Sequence, residues 1–182
     1  MTQHNGASKR AMPAWRALLW GTIFTLLILP ALAMRVTSEV DWTAADFVLA
    51  AVLMGSVGLG VELTMRASGD RAYRAAMFIA IALALLTVWA NAAVGIIGNE
   101  DNPLNLLYFV PLLIGGLAAV RWRFQATAMR WIAAAVAVSQ FAIAGIAAAN
   151  GYWVWIAAAV IGGAWSMSAV LFDRAWPTQR RG

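Results

Sequence analysis

The chain has 182 residues, 63% of them hydrophobic and only 12% charged, with a formal net charge of +5. Soluble domains are nearer half apolar and a quarter charged, so this balance, with a mean hydropathy of +0.74, excludes an ordinary soluble domain. Cysteine is absent and histidine occurs once, at His4, which excludes disulfides, thiol chemistry, cysteine-held iron–sulfur clusters and haem or zinc on paired histidines.

A bilayer core of about 30 Å needs roughly 20 apolar residues per crossing helix. After a polar, basic leader (residues 1–16), six such runs follow: Ala17–Met34, Phe47–Met65, Ala75–Gly98, Leu104–Val120, Trp131–Ala149 and Tyr152–Phe172. A basic tail (173–182) closes the chain. The expected fold is an all-α integral membrane protein, a six-transmembrane-helix bundle with short loops. The links are too short to hold a soluble domain. In the first run, Pro30 and Ala31-Leu32-Ala33 before Met34 read two ways: as a retained helix, or as a secretory signal cleaved after Ala33.

Charge sets the expected orientation. Lys9, Arg10, Arg16, Arg66, Arg71, Arg74, Arg121, Arg123, Arg130, Arg174, Arg180 and Arg181 fall inside if both termini are cytoplasmic, and only Arg35 falls outside. The outer links then carry Glu39, Asp41, Asp46, Glu100 and Asp101. Tryptophans agree, because indole prefers the interface. Trp15, Trp122, Trp131 and Trp176 mark the inner boundary and Trp42, Trp153 and Trp155 the outer one, with Trp20, Trp89 and Trp165 expected deeper between helices.

Within the second run, Glu62 is the candidate ion or proton site, since an ionisable group at membrane depth is costly. It shares a helix face with Ala51, Gly55 and Gly58. Its other reading is an interfacial partner of Arg66 four residues on. In the third, fifth and sixth runs Asn91, Gln140 and Ser166 are candidate helix-packing polar residues. Each lies on a stripe of small residues: Ala84, Thr87, Gly95 and Gly98 for Asn91; Ala133, Ala137, Ala144 and Ala147 for Gln140; Ala159, Gly162 and Gly163 for Ser166. Such amides and hydroxyls also suit the lining of a solute path.

The link Asn99, Glu100, Asp101, Asn102, with Asn105 a turn further on, is a candidate outer cation or capping cluster. Its oxygens suit calcium or magnesium. Alternatively, Asn102 before Pro103 is an N-cap with proline at the first helical position, and the acids face the positive end of the helix. Whether any metal binds is left open by the residues.

No catalytic constellation is present. Ser56 has no His or Lys to activate it, no two carboxylates pair within the spans, and no phosphate-cradling glycine loop occurs. A lipid-processing enzyme using Asp70, Arg71 and Arg74 has no specific support.

The stretch from Trp89-Ala90-Asn91 through Val94-Gly95-Ile96-Ile97-Gly98-Asn99-Glu100-Asp101-Asn102-Pro103-Leu104-Asn105-Leu106 resembles a recurring segment of small, uncharacterised multi-pass bacterial membrane proteins. That resemblance implies a bacterial cytoplasmic (inner) membrane protein whose third helix, outer turn and fourth helix form one unit. It draws Asn91, Glu100, Asp101 and Asn105 together and implies no activity, cofactor or catalytic residue.

The expectation is a non-catalytic protein acting through helix–helix association, with no cofactor. Its expected partners are the lipid bilayer and a second copy or another membrane protein, not nucleic acid. The alternative is a small, dimeric, proton- or cation-coupled transporter or channel using Glu62.

Overall fold

The computed structural model describes residues 13–179. His4, Lys9 and Arg10 of the leader and Arg180 and Arg181 of the tail lie outside the described residues. Among those described, all regular structure is helical, and six helices are long and apolar enough to cross a membrane. They are α1 (Ala14–Ala33), α2 (Ala44–Ala67), α3 (Arg71–Ala93), α4 (Phe109–Arg121, extended at its start by a 3-10 segment, Pro103–Tyr108), α5 (Ala126–Ala149) and α6 (Trp155–Gln179). The chain divides after Leu59 into two compact units.

In the first unit, Ile23 is the single buried residue of α1. The missing side chain of Gly58 makes room for α1: a Cβ there would stand 2.7 Å from Ile23 and 3.0 Å from Trp20. Helix α2 begins three residues before the expected Phe47. The Thr43 hydroxyl accepts from the Asp46 N–H (3.3 Å), and the Asp46 carboxylate accepts from the Thr43 N–H (2.7 Å), a reciprocal cap that satisfies two early amides.

The second unit carries most of the core. Helix α5 buries Ala126, Met129, Ala133, Val136, Ala137, Gln140, Ile143, Ala144 and Ala147. Their spacing of three and four residues makes a continuous face. It packs on α6, which also packs on α3, while the 3-10 segment touches both α3 and α5. One apolar cluster joins Tyr73, Ala80 and Leu83 of α3, Ala133 and Ala137 of α5, and Trp165 and Phe172 of α6. A second joins Ile97, Tyr108, Ile143, Ala147, Val154 and Ala158.

Helices α1, α3 and α5 begin three, four and five residues before the expected starts, α6 runs Trp155–Gln179 where Tyr152–Phe172 is expected, and two further boundaries change the structure itself. The third run does not stay helical to Gly98: α3 ends at Ala93, and Gly95 (φ 69°) and Gly98 (φ 73°) are left-handed. The apolar run Val94–Ile97 is therefore loop, which removes Gly95 and Gly98 from the Asn91 stripe. The fourth run opens as a 3-10 helix, not an α-helix. Trp89, expected between helices, is 49% exposed, whereas Trp165 is buried.

Candidate functional site

Three places in the second unit gather polar groups: the loop end around residues 94–108, the opposite end around residues 62–74 and 121–130, and the interior between them.

At the loop end, Asn105 is buried and accepts through Oδ1 from the Ile96 N–H (3.1 Å) and the Ile97 N–H (2.8 Å). Its Nδ2 donates to the carbonyls of Ile97 (3.3 Å) and Asn99 (2.6 Å). Asn102 accepts from the Leu104 N–H (3.0 Å) with Pro103 following it, so its oxygen caps the 3-10 segment. Glu100 and Asp101 are exposed. The cluster thus spends the side-chain oxygens of Asn102 and Asn105 on backbone amides. Among the described residues, no three His, Asp or Glu side chains come together as a metal-ligand set.

At the opposite end, the buried Glu62 carboxylate is ion-paired with Arg66 one helical turn on. Asp70 caps α3 by accepting from the Tyr73 N–H (2.9 Å), and Arg74 donates to the carbonyl oxygens of Ser68 (2.7 Å) and Met65 (3.3 Å). Fully buried Tyr73 donates its hydroxyl to the Phe124 carbonyl (2.6 Å) and meets the Phe172 ring edge-on at 5.5 Å. The accepting turn is unusual: Arg123 (φ 52°) and Phe124 (φ 57°) are both left-handed without being glycine. Arg130 pairs with Asp173 of α6 and lies over the rings of Trp131 (5.1 Å) and Trp176 (5.3 Å).

In the interior, Asn91 and Gln140 are both buried, 4% and 1% exposed. Each turns its amide N–H back to its own helix, Asn91 to the Thr87 carbonyl (2.7 Å) and Gln140 to the Val136 carbonyl (3.3 Å). That leaves Asn91 Oδ1 and Gln140 Oε1 buried without a protein partner, as are Thr87 Oγ1, Tyr108 Oη and Trp165 Nε1. Ser166 behaves differently: it is exposed, and its hydroxyl bonds the Gly162 carbonyl (2.9 Å) of its own helix. The residue that links α6 to α3 is Ser168, buried, whose hydroxyl donates to the Ala76 carbonyl (2.9 Å).

Sequence reading passed over Thr87, Tyr108 and Ser168 as site residues. A hydroxyl inside an apolar helix marks each of them, but which face it occupies depends on the register between helices. Along α4 and α5 runs an apolar groove of about 710 Å³, lined by Ile114, Gly115, Ala118, Trp122, Trp131 and Ala135 among others. No family model, curated protein or solved structure matches this chain.

Proposed function

We propose that this chain is a non-catalytic multi-pass protein of a bacterial cytoplasmic membrane, with both termini cytoplasmic, working through lateral association with a second copy or another membrane protein. The glycine pattern carries the reading. Gly58 and Gly162 are used within the chain: a Cβ at Gly162 would stand 2.9 Å from Phe141. Gly163 of α6 has nothing within 4 Å, a property it shares with Gly21, Gly55, Gly116 and Gly145 of the other helices. A glycine inside a helix costs roughly 0.5–1 kcal/mol relative to alanine, and here no neighbour in the chain uses the space it leaves. It lies among the exposed apolar residues Ile156, Val160, Met167 and Val170, a face on which another helix can approach closely.

The orientation rests on the basic residues gathered at the ends near Arg66–Arg74 and Arg121–Arg130. The pairing of Glu62 with Arg66 on the same helix supports its reading as an interfacial partner beside the transporter alternative. The discriminating experiment is the assembly state of the full chain extracted with its lipids. Gly163→Leu should convert the assembly to single chains with helix content unchanged. An assembly that survives Gly163→Leu overturns this face. Gly58→Leu is not a test of association, because it displaces Ile23 and Trp20 within the chain.

A further inference from the structure

The orphaned polar atoms of the interior are not scattered. The Ser168–Ala76 hydrogen bond and the Tyr73–Phe172 contact fix the antiparallel register of α3 and α6, which sets Trp165 across from Ile79 and Ala80. Gly162 against Ala137 and Phe141 does the same for α6 and α5. In that register Gln140 sits one turn from Ala137, in the cluster that holds Trp165, and one turn from Ala144, in the cluster that holds Tyr108. Thr87 follows Leu83 of the first cluster by one turn, and Asn91 follows Thr87 by another. The α3, α5 and α6 helices and the 3-10 segment pack in a closed circuit, and each carries at least one buried orphan. The orphans span roughly 15–20 Å along the axis at 1.5 Å per residue, from the loop end to Trp165. Beyond Trp165 the pattern stops, because the hydroxyls of Ser168 and Tyr73 are bonded to protein carbonyls.

We infer that the buried orphans of these four elements are satisfied by ordered water molecules held between the loop end and Trp165. The chemistry of the lining selects the occupant. Two groups are pure acceptors (Asn91 Oδ1, Gln140 Oε1), one is a pure donor (Trp165 Nε1) and two hydroxyls do both. A cation would leave the Trp165 N–H unmatched and an anion would leave the two amide oxygens unmatched, whereas a molecule that both donates and accepts satisfies all five. Leaving a buried polar atom unsatisfied is expensive, and buried water is the usual remedy where several such atoms converge.

X-ray radiolytic hydroxyl labelling of the full chain in lipid nanodiscs tests this, because bound water generates the label beside buried side chains. Tyr108 and Trp165 should be labelled despite their burial. Tyr73 and Phe172, fully buried and with the Tyr73 hydroxyl bonded to protein, should remain unlabelled and serve as internal controls. Gln140→Leu should bring Trp165 down to the Tyr73 level with the helical spectrum unchanged. Labelling of Tyr108 and Trp165 no higher than that of Tyr73 in the unaltered protein overturns the buried water. A rise in melting temperature in Thr87→Val also contradicts it, since removing a truly unpartnered hydroxyl stabilises.

Discussion

Asn105 spends its whole hydrogen-bonding capacity, two lone pairs and two N–H groups, on the loop from Ile96 to Asn99. Asn105→Ala leaves the buried Ile97 N–H without an acceptor and should cost roughly 2–4 kcal/mol, read as a fall in the melting temperature in detergent. Asp at this position would still accept but could not donate, and should fail to rescue. Gly95 belongs to the same device: a Cβ there would stand 2.2 Å from the Asn99 carbonyl oxygen. The turn at Arg123 is the opposite case, a side chain held in a left-handed conformation that costs about 1–2 kcal/mol. Arg123→Gly should therefore raise the melting temperature. Tyr73→Phe should destabilise the fold by about 1 kcal/mol and so lower the melting temperature, because the Phe124 carbonyl loses its donor. An unchanged melting point in Tyr73→Phe would mean that this bond does not hold the turn.

At the scale of the helix, what the sequence makes legible is what single segments determine. Six apolar runs predict six spanning helices, because length and hydropathy are local properties. The Asn102-Pro103 cap was readable from two adjacent residues. The failures come where a distant residue decides. Val94–Ile97 is as apolar as the helix before it, but Asn105 captures its amides and two glycines let the backbone turn, so the helix stops. Ser166 and Ser168 are indistinguishable as residues in an apolar run. Only the register of α6 on α3 turns Ser168 inward to Ala76 and leaves Ser166 outside. Ion pairing also divides by context. The Asp173 side chain is 60% exposed, so Asp173→Asn should shift stability by well under 1 kcal/mol, whereas Ser168→Ala, fully buried, should cost about 1 kcal/mol or more. Comparing the two melting temperatures checks the contrast, and equal losses would contradict it.

Over the whole molecule, the described residues contain a well-packed second unit and a first unit in which α1 buries a single side chain. Six helices long and apolar enough to cross a membrane account for the exposed apolar surface, and the proposed association would cover part of it with another protein. The proposed candidate is the α6 face on which Gly163, one of several helix glycines with open space beside them, lies between exposed Val160 and Met167. Native mass spectrometry of the full chain, extracted gently with its own lipids, tests that claim most directly. The account predicts a species in which the chain carries a second polypeptide, lost when Gly163 is replaced by Leu. A bare 19.5 kDa chain from the unaltered protein, with no second polypeptide, would contradict it.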